Sequence, residues 1–446
     1  MEYQLGIPNE GGLMSNTRWR MFALLLLLVT VNYVDRGSLS VALPAIKEDF
    51  HISAEVTGVL LSAFFWAYAA MQIPAGWLID RFGPRKLITV ACTGWGAATA
   101  VSGMAPNIGT MAIARGAIGI TEAPIMPAGG KLNAAFLTEK ERGRGATILD
   151  AGAPLGSAVG GIAIAGLIAV TGSWRWAFIV AGVVTMLLGI WAWRAIRDTP
   201  EEHPKVNAAE REYLMTAHRE ENARHQSTGK RAGLVHYMKY RSFWAMCLGW
   251  LGFNGVFYGL LTWGPLFLSE SKGFNLNAIG WSTFVIFGSG FVGEIIGGQL
   301  ADRLKEKGYD TNRVMRSLLG FAGTCVVAGL VGVVLMPGPI AAILLLSTVL
   351  FFLRWVGLFW SVPAILGGRE DAGVLGGAMN LAGNVSGFVT PMAVGFIVGA
   401  TGGYTWALLY FVGAGVVMTA AVLVLDYAKR LAPKAAPVPA ENGATV

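Results

Sequence analysis

Asn32-Tyr33-Val34-Asp35-Arg36 sets a carboxylate and a guanidinium inside an otherwise apolar stretch. Before it, Phe22 to Val31 is mostly Leu and Val; after it, Ser38 to Ile46 is again mostly apolar. An ionised group at bilayer depth costs roughly 2.5 kcal/mol or more, so it persists where it lines a wet cavity or has a partner. An Asp-Arg pair at this depth reads first as a site that handles charge. The other reading is a buried ion pair that locks helices together.

The rest of the chain agrees with that depth. It is 54% hydrophobic and 14% charged, against about 25% charged in soluble domains. Apolar runs of about twenty residues recur, each long enough to cross a hydrocarbon core of about 30 Å. They do not alternate apolar and polar residues, which excludes a β-barrel. The expectation is an all-α membrane protein with twelve transmembrane helices over 21–46, 54–79, 86–105, 108–131, 145–170, 176–197, 242–269, 278–301, 315–336, 339–363, 373–399 and 404–427. One long polar segment, Arg197 to Lys239, parts the chain into two six-helix bundles. The domains expected are a tail at 1–20, a bundle at 21–197, a linker at 198–240, a bundle at 241–427 and a tail at 428–446. The first apolar run is too long for a signal peptide and lacks a small-residue cleavage site, so the first helix is expected to be a retained span.

Of 34 Lys and Arg, Lys47, Arg175 and Lys272 fall on one side and Arg36, Arg115 and Arg354 within spans. The remaining 28 or so mark the other side as cytoplasmic, with both termini and the linker there, in the inner (plasma) membrane. Lys and Arg spread over loops do not make a nucleic-acid patch. Cys92, Cys247 and Cys325 lie in apolar runs and read as small core residues. No histidine sits at membrane depth, so a proton relay would use carboxylates.

A repeat links the halves. Gly76-Trp77-Leu78-Ile79-Asp80-Arg81 ends the second span and Gly298-Gln299-Leu300-Ala301-Asp302-Arg303 the eighth. Related six-helix halves suit a rocking transporter whose site lies between them. Small residues favour close helix contact in lipid, and Gly156, Gly160, Gly161 and Gly166 in the fifth span offer such a face.

Four motifs carry a resemblance. Gly76 to Lys86, GWLIDRFGPRK, is similar to the loop between helices two and three of the major facilitator superfamily. Arg115, Gly119 and Glu122 in RGAIGITEAP resemble its helix-four motif. Asp198 to Leu214 and Gly376 to Pro391 resemble the segment after helix six and helix eleven of the anion:cation symporter family. The pattern is similar to bacterial galactonate, glucarate and hexuronate symporters, and more distantly to animal sialic-acid and vesicular glutamate carriers. The resemblance implies two six-helix bundles of the major facilitator fold and proton-driven uptake of an organic anion. It places Arg36 on the substrate carboxylate, Asp35 and Glu122 on protons, and Tyr33 and Tyr68 on hydroxyl groups.

The residue chemistry is consistent with those roles. Arg115 and Glu122, seven residues apart, share one helix face about 10 Å apart along the axis. Arg donates two parallel hydrogen bonds to a carboxylate, which Lys does not. Arg115 reads equally as a structural partner of Glu122 or of another helix. Anion and proton binding through one Arg would assist each other by reciprocity. In the second half, Asn254, Tyr258, Trp263, Trp360, Ser361, Asn380 and Asn384 are candidates for substrate contact, helix-to-helix hydrogen bonding or packing. Asp80 with Arg81 and Arg85, around Gly76 and Gly83, and Asp302 with Arg303 are gate candidates; topology signalling by the basic residues alone is the alternative. Asp150 stands where hexuronate-type members carry a neutral polar residue. Glu294 and Arg354 are also unexpected; they form either an ion pair or a second anion site suited to a diacid.

The leading expectation is a proton-coupled importer of a sugar acid (aldonate, aldarate or hexuronate), acting as a monomer with protons as coupling ion and no cofactor or metal. Another small or aromatic carboxylate is the second, and a non-transporting sensor or membrane enzyme the third. The sequence offers no nucleophile–base pair, phosphate loop or metal spacing, so no catalytic residue is expected.

Overall fold

The computed structural model describes residues 14–139, 141–224, 233–336 and 338–431. The described residues are helical throughout, with no strand. In the first half these are α1 (Thr17–Phe50), α2 (Ala54–Phe82), α3 (Pro84–Gly103), α4 (Ile108–Glu122), α5 (Ile125–Phe136), α6 (Arg142–Thr171) and α7 (Trp174–Ala195). The linker holds α8 (Ala208–Arg224) and the single turn α9 (Leu234–Tyr237). The second half comprises α10 (Arg241–Lys272), α11 (Leu276–Glu306), α12 (Thr311–Leu335), α13 (Pro339–Leu353), a 3-10 segment (Arg354–Ser361), α14 (Val362–Thr401) and α15 (Thr405–Val424).

Twelve crossings result, and three depart from the expected form. The fourth is broken between α4 and α5, because Pro124 has no N–H to donate and crowds the preceding turn. It runs on to Phe136 rather than ending at 131. The tenth loosens into the 3-10 segment just where Arg354 enters. It then re-forms as the start of α14, which turns into the eleventh crossing at Gly368, where φ is +62°. A positive φ is cheap only for glycine.

Within the first half, α1 packs on α6, α3 on α7, and α2 on α4; within the second, α10 packs on α14 and α15, α11 on α13, and α12 on α15. The halves meet where α6 faces α11, α2 faces α14 and α1 faces α10. Side chains at Gly156 and Gly160 would collide with α1 at Thr30, Tyr33 and Val34, and one at Gly161 with Thr283 of α11. Gly166 has nothing within 4 Å, so it is not part of that face, contrary to expectation. At the end away from the linker, Lys47 of α1 reaches Glu270 of α10 at 2.5 Å, and Tyr404 donates to the same carboxylate at 2.7 Å.

The linker is fastened to the first half. Glu210 of α8 accepts from the Ser15 hydroxyl, from the backbone N–H of Thr17 and Arg18, and from Arg18 Nη1 at 2.8 Å. Burial pushes its carboxyl up, but these donors outweigh burial and hold it below the ordinary range. Arg18 also reaches Glu141 at 3.0 Å, and Arg142 takes both oxygens of Glu221 at 2.6 and 2.9 Å.

Candidate functional site

The aromatic spacing of α1 and α2 builds a box for Arg36. Tyr33 precedes it by one helical turn, and Phe64 and Tyr68 are four apart on one face of α2. The guanidinium carbon lies 4.8, 4.8 and 4.6 Å from those three ring centres, a geometry in which the ring faces stabilise the cation. Glu122, the last residue of α4 before the break, accepts from Arg36 Nε at 2.8 Å. Both side chains are almost fully buried. Among the described residues no carboxylate meets Arg36 Nη1 or Nη2, so the forked edge is not matched by an acid of the protein. Tyr258 of α10 closes the box from the other half. It lies edge-on to Phe65 at 4.7 Å, with its hydroxyl in reach of Tyr33 and Arg36.

Asp35 points the other way. One oxygen accepts from Trp95 Nε1 of α3 and Thr185 Oγ1 of α7, both at 2.9 Å. Its second oxygen is buried with no partner, as is Oε1 of Glu122. Asp35 therefore sits inside the first bundle, behind the Arg36 box. Trp95 and Thr185 were not singled out in the sequence; an indole N–H at membrane depth, which needs an acceptor, was the available signal. Asn32 is fully buried and adjoins Glu122, without a hydrogen bond of normal geometry. Of the two partners open to Arg115, the structure shows another helix: Nη1 donates to the Asp35 carbonyl of α1 at 3.4 Å.

In the second half two amides each place one N–H on the backbone of their own helix. Asn254 donates to the Trp250 carbonyl at 2.8 Å and Asn384 to that of Asn380 at 3.0 Å. Trp263 donates to the Pro391 carbonyl at 3.1 Å, a packing role. Trp360 is exposed and edge-on to Trp250 at 5.0 Å, and Ser361 bonds back to Leu358.

Glu294 and Arg354 do meet. Arg354 Nε and Nη2 both reach Glu294 Oε2, at 3.2 and 2.7 Å, and Nη2 also reaches Asp150 of α6 at 2.7 Å. The approach depends on small residues: a side chain on Gly293 would strike the Phe351 carbonyl and one on Gly297 the Trp355 ring.

The charged residues of the loop motif have separate partners. Asp80 pairs with Lys131 of α5 at 2.9 Å and is 80% exposed; it does not meet Arg85. Arg81 lies against Trp77 and Phe82. Arg85 stacks on Trp193 at 3.9 Å, and its backbone N–H donates to Asp198 at 2.7 Å. Asp198 thus caps α3 from the far end of α7, entering where Gly83, at φ +84°, has no side chain. Gly76 has open space around it, and Asp302 and Arg303 are exposed at the end of α11.

Two helical halves of multiple membrane crossings, closing on a buried guanidinium between them, define a multi-pass membrane carrier. Residues 25–391 match the family model for the Major Facilitator Superfamily, and the chain belongs to that superfamily: it is a transporter and not an enzyme. It is 31% identical over 396 residues to a probable sulfoacetate transporter of Cupriavidus necator, covering 87% of this chain and 89% of that one. It is 28% identical to a probable galactarate/D-glucarate transporter of Escherichia coli K12, with 90% and 93% covered. It is also 28% identical to a D-galactonate transporter of Escherichia coli O6:H1, with 91% and 95% covered. Among solved structures, a bacterial homolog of the human lysosomal transporter Spinster, inward-facing and occupied, superposes with a TM-score of 0.72 at 18% identity, covering 92% of this chain and 96% of that one. That likeness concerns the fold.

Proposed function

We propose that this transporter is a proton-coupled symporter that imports an organic anion, a sugar acid such as an aldonate, aldarate or hexuronate, by alternating access. It acts as a monomer in the plasma membrane with both termini and the linker cytoplasmic, an orientation supported by the basic residues. The observation that carries the reading is Arg36: its Nε is held by Glu122, while its two terminal nitrogens meet no carboxylate among the described residues. A planar fork held from behind is preorganised for a substrate carboxylate. Tyr33, Tyr68 and Tyr258 around it offer hydroxyls to a polyhydroxy chain. The relatives named for galactarate, glucarate and galactonate support the substrate class.

Coupling follows from competition for one cation. Glu122 and an incoming carboxylate share Arg36. A proton on Glu122 removes its charge and leaves the guanidinium for the substrate, so proton and anion bind cooperatively by linkage. Asp35, one turn behind the box and holding an unpartnered oxygen, is the second proton carrier of this reading. Proton and anion together keep the crossing cavity near neutral.

One observation favours a second cargo. Phe253 and Phe257 stack at 5.9 Å beside Tyr33, an apolar wall suited to a compact or aromatic carboxylate. Uptake of labelled galactonate, glucarate, sulfoacetate and benzoate into proteoliposomes decides the matter. The sugar-acid reading expects accumulation of the first two only when the outside is acid. Accumulation of benzoate or sulfoacetate alone selects the second cargo. Accumulation indifferent to the pH gradient removes proton coupling.

A further inference from the structure

Away from the Arg36 box, three charged groups from three crossings meet on the contact between the halves. Arg354 enters from the 3-10 segment, Glu294 from α11 and Asp150 from α6 of the opposite half. Two carboxylates of formal charge −2 face one guanidinium. Their side chains are 24% exposed at Asp150, 7% at Glu294 and 3% at Arg354. Ionised, neither has a hydrogen to donate, yet both accept from the same Nη2, each at 2.7 Å. Like charges drawn to one nitrogen in a low-dielectric contact oppose each other's ionisation, and a single proton held between them relieves that opposition.

Among the described residues the surroundings add no second cation. Below the guanidinium, α10 presents only the faces of Phe253 and Phe257, at 5.7 and 5.4 Å. From α1 the titratable neighbour is Tyr33, which feels both Asp150 and Arg354. Beside Asp150 and Glu294 runs the backbone of Gly357. One proton brings the trio to neutrality.

We propose that Asp150 and Glu294, clamped by Arg354, form a further proton-binding site of this transporter, distinct from Glu122 and Asp35 and spanning the contact between the halves. Glu294 holds two guanidinium nitrogens and belongs to the same half as Arg354; it is the fixed partner. Asp150 is the partly exposed partner from the other half, through which the proton enters and leaves. When α6 and α11 part during the cycle, Glu294 stays neutralised by Arg354 and the proton leaves or arrives with Asp150. Movement of the halves is thereby tied to a proton by residues that touch no substrate.

The test needs no cargo, so its outcome stands apart from the sugar-acid reading. The full chain in lipid nanodiscs is titrated with pH while the infrared C=O band of protonated carboxyls is recorded, for wild type, Asp150→Asn, Glu294→Gln and the double variant. The expected result is that each single variant loses the amplitude of one titrating carboxyl and the double variant loses no more than either. Wild-type amplitude in both single variants overturns the proposal, because both acids are then ionised. Additive losses overturn it too, because each acid then holds its own proton. Should Glu294→Gln fail to fold, Asp150→Asn decides alone: Asp150 is partly exposed, and its amide keeps the contact to Arg354, so retention or loss of the band is read from that variant.

Discussion

Arg36 and Arg354 are built from the same parts and end in opposite arrangements. Each lies buried on aromatic faces and each is held by a glutamate. Arg36 takes one carboxylate through Nε, from its own half, and its terminal nitrogens meet no carboxylate among the described residues; the proposed function puts the substrate there. Arg354 takes two carboxylates, one from each half, and both are acids of the protein. The number and origin of the acids, not the arginine itself, separate a binding group from a bridge between bundles. The difference also says what each loses on mutation: stability for Arg354, affinity for Arg36.

The largest effect is expected at the bridge. Arg354→Gln leaves Glu294 buried without its cation, and breaking a buried pair costs about 3–5 kcal/mol. Thermal unfolding in detergent should show that loss, with part of it recovered in Arg354→Gln/Glu294→Gln. Additive losses across this double-mutant cycle would count against the bridge. Next comes Arg36→Lys, which keeps the charge and discards the fork. Charge-assisted hydrogen bonds contribute about 1.5–3 kcal/mol, so substrate affinity should fall about 10- to 100-fold with the melting temperature little changed. Wild-type affinity in a direct binding assay would remove Arg36 as the anchor.

A smaller effect in energy separates coupling from binding. Glu122→Gln and Asp35→Asn mimic protonated acids. One proton moved down one pH unit supplies about 1.4 kcal/mol, or tenfold accumulation. Each variant should exchange substrate across the membrane yet lose at least that factor in uphill uptake. Full accumulation by both variants would take the carboxylates out of coupling.

Most crossings were legible because apolar length alone identifies them: ten helices of the described residues are individually long and apolar enough to span a membrane, and those of the third and fourth crossings are not among them. The intramembrane charges were legible for the same reason, since each interrupts an apolar run. Their partners were not. Asp150 and Arg354 are 204 residues apart and Arg36 and Glu122 are 86 apart, and helix periodicity reports which face a residue shares within its own helix only. The Arg115–Glu122 spacing reported their shared face, and both reach α1, but not which groups of α1 they meet. Amides at membrane depth read as substrate contacts or helix-to-helix bonds, and Asn254 and Asn384 each donate one N–H to the carbonyl four residues back in their own helices. The clamp by Glu210 was invisible because a glutamate in a polar linker looks solvated until the chain end it holds is known.

The loop motif makes the same comparison at lower energy and supplies the smallest prediction. Asp80 and Asp198 are both acids at the linker end of the first half. Asp80 meets Lys131 in a largely exposed pair, and exposed pairs contribute about 0–1 kcal/mol. Asp198 accepts the backbone N–H of Arg85 at the start of α3. There a carboxylate satisfies an otherwise orphaned donor and faces the positive end of the helix; loss of such a cap costs about 0.5–2 kcal/mol. Asp198→Ala should therefore lower the melting temperature measurably, while Asp80→Asn should leave it within error. If Asp80 acts as a gate, its amide variant keeps wild-type stability and slows substrate exchange, because the Lys131 pair between α2 and α5 is lost in one state of the cycle only. If the basic residues around it serve topology alone, Asp80→Asn exchanges at the wild-type rate. A fall in stability for Asp80→Asn as large as that for Asp198→Ala would contradict both readings, since it would require the exposed pair to be as strongly coupled to folding as the helix cap.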